Sequence, residues 1–350
     1  MRLNLKAIIS ILGLLCILNG AFMYMCLPVS IHFSDGNWQA LLIAGTVSIT
    51  AGALSWVLTK GKTNNQLKKR DGYLIVTLGW LTMSIFGTLP YILSGEISSF
   101  TDAFFETLSG YTTTGASILN DIESMGSGIL FWRSLTQWIG GMGIIVLTVA
   151  ILPILGIGGM QLFVAESPGV TPDKLKPRIT DTAKRLWLIY LGLTCTEAVL
   201  LKLGGMSLFD SVNHALTTMA TGGFSTKQAS IAHFNSPFIH YVIIVFMFLA
   251  GTNFTLTYFA LHGQIRKVWS NEEFRYYLRF TLVIAVLVTL VLYFSSGTDL
   301  ELAFREALFQ LVSIITTTGY VTADYSTWVP LITVIFFMLM FIGASAGSTA

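Results

Sequence analysis

The apolar runs decide what this chain can fold into. Several runs of about 20 residues, each long enough to cross a bilayer as a helix, follow one another along the sequence. The chain has 350 residues, 53% hydrophobic and only 11% charged. Soluble domains carry roughly 25% charged residues. The fold class is therefore an all-α polytopic membrane protein. Arg2 and Lys6 precede a first apolar run from Ala7 to Leu27. That run is long for a signal-peptide core and no clear small-residue cleavage site follows, so it reads as a retained first helix. Cys16 and Cys195 fall inside apolar runs and Cys26 is the third cysteine, a distribution that argues against a disulfide framework. The net charge of +2 is not gathered on one face, so nothing points to nucleic acid.

A short polar stretch recurs between these runs. Tyr111-Thr112-Thr113-Thr114-Gly115-Ala116-Ser117 comes back as Thr316-Thr317-Thr318-Gly319-Tyr320, with Thr217-Thr218-Met219-Ala220-Thr221-Gly222-Gly223 as a looser copy between them. Counting on Gly115, Gly222 and Gly319, the copies lie 107 and 97 residues apart. Recurrence at such a period indicates one structural part used several times.

The rest of the chain falls into place around the copies. Two helices come first, at about 7–28 and 39–58, joined by a polar loop over 34–37 and followed by the basic stretch of Lys60, Lys62, Lys68, Lys69 and Arg70. Each copy then has three parts. The first has a span over about 73–93, a short semi-polar helix over 99–109, and a second span over 130–155. The second has them at 186–203, 207–219 and 236–261, and the third at 277–294, 300–315 and from 328 onward. The middle segments are too short and too polar to span, which predicts re-entrant half-helices. The division that follows is 1–70 as an N-terminal two-helix unit with a basic loop, then 71–185 (with a cytosolic linker at about 156–185), 186–275 and 276–350 as three repeats.

Orientation follows from charge. With the N-terminus inside and each half-helix entering from outside, 16 of the 20 Lys and Arg residues fall on the inner side. The positive-inside rule expects that asymmetry.

The recurring residues suit ion chemistry. A dehydrated cation needs several oxygens around it, and backbone carbonyls supply them where the chain runs extended toward one axis. Threonine tolerates extended backbone and adds a hydroxyl, while glycine reaches dihedral angles that turn carbonyls inward. The three copies read as quarters of a selectivity filter. The half-helix before each one would point its partly negative C-terminal end at the membrane centre. Asp102, Asp210 and Glu306 lie near the outer ends of the half-helices, where they could attract cations at an outer mouth or merely cap and solvate the helix.

Each second span is interrupted by glycine, at Gly140-Gly141-Met142-Gly143, at Gly251-Thr252-Asn253, and at Gly343-Ala344-Ser345-Ala346-Gly347-Ser348-Thr349. A break there could form a gate below the filter, or a kink or packing groove. The third is too rich in small residues for a helix and is expected to be a loop.

At Ser109 to Ala116, Ala220 to Thr226, Thr316 to Tyr320 and Phe341 to Thr349 the sequence resembles the Trk/Ktr/HKT superfamily of potassium transporters, most closely the bacterial TrkH type. The resemblance covers the whole chain and includes the two extra N-terminal helices. It implies helix–pore-loop–helix repeats around a pseudo-fourfold pore, three of them in this sequence and a fourth expected beyond Ala350, with its own filter segment and a basic residue below the filter. It implies a potassium filter lined by Thr113, Thr114 and Gly115, by Ala220, Thr221 and Gly222, and by Thr317, Thr318 and Gly319. Gly343, Ala344, Ser345, Ala346, Gly347, Ser348 and Thr349 would form an intramembrane gate. A homodimer in the bacterial inner membrane is implied, with a cytosolic TrkA-like nucleotide-binding regulatory subunit docked on the inner face. The chain itself would bind no cofactor, with K+ as the transported ion. The basic stretches 60–70, 174–185 and 266–279 are candidate regulator contacts, although topology-setting charge explains them as well.

Other classes fit less. An ion-coupled symporter with alternating access commonly uses inverted repeats, whereas these copies all run the same way. An intramembrane enzyme would need a catalytic constellation. His32, His214, His233, His240 and His262 show no His-Glu-x-x-His spacing, there is no Gly-x-Ser-x-Gly elbow, and the 343–349 stretch lacks the lysine of a phosphate loop.

Overall fold

The computed structural model describes residues 3–59, 69–141, 143, 179–345 and 348–349. All regular structure among them is helical. Five of the described helices are long and apolar enough to cross a membrane, or six if one bent pair counts as a span. The described residues pack as two units. One holds the residues up to Thr112 and from Ala116 to Trp187; the other holds Thr113–Gly115 and the residues from Leu188 onward.

The first unit is organised by a helical hairpin. Helix α1 (Leu5–Phe33) and α2 (Trp38–Thr59) approach through reciprocal glycines. A Cβ on Gly13 would meet the Gly52 carbonyl and one on Gly52 the Gly13 carbonyl; Gly20 and Gly45 repeat the relation one turn pair further on. Small residues let backbones close up, which is how helices gain packing energy where lipid offers no water to exclude. Helix α1 runs past Pro28, beyond the expected end, and stops where Ser34 turns left-handed and its amide caps the Ile31 and Ser30 carbonyls. The expected span over 73–93 is divided into α3 (Lys69–Gly87) and α4 (Leu89–Ser94), because Pro90 allows a new helix to start but not the old one to continue unbroken.

The half-helix α5 (Phe100–Tyr111) is capped by Ser99, and α6 (Ser127–Gly141) packs beside it. The start of α6 is held from a distance. The Asp35 carboxylate accepts from the Gly128 amide at 2.6 Å, the Asn37 amide at 3.0 Å and the Ser30 hydroxyl. Glu96 accepts from the Gly126 amide and the Asn37 side chain, both at 2.9 Å. Two carboxylates thus satisfy the free amides of a helix N-terminus, which also favours negative charge there. Deeper in, the Tyr111 phenol donates to Asn19 at 2.6 Å, and Asn19 donates to the Met83 carbonyl at 3.2 Å.

The second unit carries the other two half-helices. Its elements are α7 (Ile179–Leu203) from Leu188 onward, α8 (Leu208–Met219), α9 (Pro237–Ala250), α10 (Phe254–Leu261), α11 (Ile265–Ser270), α12 (Glu272–Ser296), α13 (Leu300–Ile315) and α14 (Pro330–Leu339). The expected single span over 236–261 is broken: α9 and α10 meet at 110° across Gly251–Asn253. The Asn253 side chain accepts from the Thr255 amide and starts α10 afresh. The core lies where Ala303, Ala307, Leu311 and Ile315, one face of α13 at four-residue spacing, meet Ala285, Val288 and Leu292 of α12 and Ile332 and Phe336 of α14. Helix α14 ends at Leu339, and Gly343 to Ser345 are not helical. Cys16 and Cys26 are buried free thiols, and Cys195 is an exposed one.

Candidate ion-conducting site

The half-helices end alike. Thr112, Ala220 and Thr316 are their C-caps, with φ of −81°, −78° and −82°. The next residue turns left-handed in every copy: Thr113 at φ 53°, Thr221 at 51° and Thr317 at 57°. Two residues on, a glycine does so too: Gly115 at 74°, Gly223 at 74° and Gly319 at 81°. A β-branched residue at positive φ is an outlier, and the same outlier three times marks a constrained turn.

In the second and third copies the cap is a Schellman motif. Gly222 N donates to Thr217 O and Thr318 N to Ser313 O, each at 2.9 Å, while Thr221 N donates to Thr218 O and Thr317 N to Ile314 O. Several last-turn carbonyls of these half-helices are therefore satisfied by turn amides, so any attraction for a cation rests on the dipole and on the turn itself.

This geometry moves the register of the middle copy. Counting letters aligns Gly222 with Gly115 and Gly319; the backbone aligns Gly223 with them. The equivalent turns are Thr113–Gly115, Thr221–Gly223 and Thr317–Gly319, and Ala220 corresponds to the helix-capping Thr112 and Thr316. The sequence could not decide between two adjacent glycines; the dihedral angles do.

The three turns belong to one unit and touch. A Cβ on Gly115 would overlap the Gly222 carbonyl oxygen and stand 3.8 Å from that of Thr318; a Cβ on Gly223 would overlap the Thr318 oxygen. Gly222 and Thr318 occupy the same middle position in their turns. Carbonyl oxygens from equivalent positions of different copies thus crowd one place, and only glycine leaves them room. The hydroxyls of Thr112, Thr221 and Thr316 are turned back on the protein: Thr112 donates to Leu108 O, Thr316 to Val312 O, and Thr221 to Ala220 O, at 2.7–2.8 Å.

The three acids of the half-helices divide. Ser99 and Ser207 cap α5 and α8, and Asp102 and Asp210 sit at the third helical position, where acids favour the helix. Asp210 also accepts from the Thr226 hydroxyl at 2.6 Å. Glu306 is not at a helix start, since α13 begins at Leu300 and is capped at Asp299. The first turn of α13 has Glu301 instead, whose carboxyl the Arg305 guanidinium at 2.9 Å holds below the usual carboxylate range. In the loop between α13 and α14 the Ser326 hydroxyl and amide do the same for Asp324.

Below the turns, the stretch from Gly343 is tied to its surroundings. Ser345 N donates to Gly251 O at 3.0 Å, and the Thr349 hydroxyl donates to Met219 O at 2.9 Å. Ala346 and Gly347 lie outside the described residues, as do Met142, residues 60–68 and residues 174–178. In the first copy Gly140 packs against Tyr111: a Cβ there would overlap the Tyr111 carbonyl.

Several residues had no motif to reveal them. Arg133 and Glu106 form an ion pair at 2.7 Å with side chains only 2% and 0% exposed. Tyr320 is buried and reaches from the third copy to the second, with its phenol bonded to the Thr217 hydroxyl and 3.3 Å from the His214 carbonyl. Arg305 Nη1 stands 2.8 Å from His240 Nδ1, joining α13 to α9. Among the described residues no group of His, Cys, Asp and Glu could hold a metal ion.

Known proteins resemble this chain over nearly its whole length. A family model described as TrkH, cation transport protein, matches residues 37–350. The Trk system potassium uptake protein TrkH of Salmonella typhimurium is 43% identical over 99% of this chain and 72% of its own length. The Trk system potassium uptake protein TrkG of Escherichia coli K12 is 35% identical over the same shares. The crystal structure of the potassium transporter TrkH from Vibrio parahaemolyticus superposes with a TM-score of 0.87 at 39% identity, covering 100% of this chain and 72% of that one. This is a family of transporters rather than enzymes, and the chain is a multi-pass membrane member of the TrkH cation transport protein family.

Proposed function

We propose that this chain takes up potassium across the bacterial inner membrane through a filter built from the turns Thr113–Gly115, Thr221–Gly223 and Thr317–Gly319, with Ala220 at its inner edge. The observation that carries this reading is the crowding of the Gly222 and Thr318 carbonyls against the neighbouring turns' glycines. A dehydrated cation is held by oxygens from several chain segments at once, and the Gly222 and Thr318 oxygens meet their neighbouring turns at glycines, which carry no side chain. Potassium itself comes from the names of the relatives.

The same reading assigns the rest. The three repeats occupy 71–185, 186–275 and 276–350 after the two-helix unit, a fourth repeat completes a pseudo-fourfold ring, and the N-terminus faces the cytoplasm. The Gly343–Thr349 stretch acts as the gate, supported by its bonds to Gly251 and Met219. Two copies form a dimer, and a cytosolic TrkA-like subunit regulates them through inner basic residues such as the exposed Arg266 and Lys267. Asp102 and Asp210 contribute to the starts of their helices more than to an outer mouth.

Rubidium uptake tests the reading, measured in cells stripped of other potassium uptake, expressing the gene together with a TrkA-type regulator. Uptake suppressed by potassium and not by equimolar sodium is expected. Uptake insensitive to potassium, in membranes that contain the protein, would overturn it.

A further inference from the structure

The half-helices share a feature that no common letter announces. Counting six residues back from each C-cap (Thr112, Ala220 and Thr316) gives Glu106, His214 and Gln310. All three are buried, at 0%, 0% and 1% exposure. All three bond across to the chain that leaves their own turn. Glu106 accepts from the Ser117 hydroxyl at 3.0 Å and the Ile118 amide at 3.0 Å. His214 Nε2 lies 2.9 Å from the Ser225 hydroxyl. Gln310 donates to the Ala323 carbonyl at 2.9 Å. Ser117 and Ser225 are themselves equivalent, each two residues past the turn glycine.

The bonding roles are fixed by what each partner can do. The Asp210 carbonyl, 2.8 Å from His214 Nδ1, can only accept, so Nδ1 carries a proton. The Ser225 oxygen also accepts from the Lys227 amide at 3.0 Å. With bonds at both ring nitrogens, the imidazole is held in one orientation. Glu106 is held by the Arg133 guanidinium behind it.

A second tie lies closer to the turn. The Ser109 hydroxyl donates to Ala116 O at 2.6 Å, and its counterpart Ser313 donates to Tyr320 O at 2.8 Å. In the middle copy the equivalent Thr217 bonds instead to the Tyr320 phenol.

We propose that Glu106, His214 and Gln310 are positioning residues, one per copy, that clamp the strand leaving each turn to the middle of its half-helix and so set how sharply the filter discriminates between cations. A turn with two left-handed residues persists only where its surroundings over-determine it. The clamps grip each turn on its outgoing side, joined by the inner hydroxyl ties in the first and third copies, while the Schellman bonds grip the second and third on the incoming side. A turn released on one side can move its carbonyls inward toward a smaller ion. This inference rests on the filter reading above.

The test removes the partner hydroxyls and leaves the buried Glu106–Arg133 pair intact. Ser117→Ala and Ser225→Ala are compared with Ser117→Thr and Ser225→Thr, which keep the hydroxyl, and with Gln310→Leu. The readout is the ratio of sodium to potassium concentrations that halve rubidium uptake, beside the maximal uptake per protein in the membrane. Losing one such bond is expected to lower the preference for potassium about three- to tenfold, more than it lowers maximal uptake, with the threonine variants near wild type. Alanine variants and Gln310→Leu that keep the wild-type ratio, in a wild type whose uptake is potassium-sensitive, would overturn the clamps and leave the filter standing. A wild type without potassium-sensitive uptake would overturn both.

Discussion

The Thr349 hydroxyl donates to the Met219 carbonyl at 2.9 Å, joining residues 130 positions apart in the chain. Met219 is the last residue of the second half-helix, so the Gly/Ser-rich stretch is fastened directly beneath a turn. Thr349→Val keeps the shape and removes the donor. The account expects greater rubidium leak without the regulator, and a larger leak still when residues are deleted between Gly343 and Ser348. Wild-type leak in both would remove the gate assignment.

The turn glycines are not equivalent as targets. A Cβ on Gly115 or Gly223 meets a carbonyl oxygen of another copy, whereas one on Gly319 meets nothing within 4 Å and suffers only from φ. Serine at any of the three should weaken discrimination against sodium, with Gly319→Ser the mildest. The strain from positive φ alone is about 1–2 kcal/mol. Sodium competition against rubidium uptake ranks them, and unchanged selectivity in all three would speak against these turns as the filter.

The register of the middle copy has its own test. Gly223 is left-handed and Gly222 is not among the positive-φ glycines. Gly223→Ala should therefore cost more uptake and selectivity than Gly222→Ala. The opposite order would restore the alignment read by counting letters.

Arg133 and Glu106 are paired with almost no exposure to solvent or lipid. Removing either charge alone, as Arg133→Leu or Glu106→Leu, should destabilise the protein by about 3–5 kcal/mol, and the double variant by less than the sum. Thermal unfolding of purified protein in detergent reads this. Additive losses would mean that the two side chains do not act as a pair.

Tyr320→Phe removes the phenol that links the third copy to Thr217 of the second. The expected loss is about 1 kcal/mol of stability, seen as a lower midpoint in the same assay. An unchanged midpoint would show that the link contributes nothing.

Much of this arrangement could be read from the letters, for definite reasons. Apolar run length reports spans, and the third half-helix, Leu300–Ile315, has the bounds its polarity indicated. Glycine marked the turns because it takes left-handed dihedral angles without steric cost; the left-handed threonines two residues before could not be read, because a β-branched side chain disfavours that backbone. Where two glycines adjoin, as at Gly222 and Gly223, composition allows either register and only the backbone chooses. Pro28 promised a helix end, yet α1 continues to Phe33. The 110° bend at Gly251 was one of several outcomes its glycine permits. Glu106, His214 and Gln310 were invisible as a set because the copies keep the position and the bond while changing the side chain that makes it.

The central claim is that backbone oxygens of these turns hold the transported ion. Anomalous diffraction from crystals of the protein grown in rubidium tests it most directly. A rubidium peak ringed by the carbonyls of Thr114, Gly222 and Thr318 is expected. A well-ordered structure with these turns in place and no peak among them, or with its rubidium elsewhere along the pore, would contradict it.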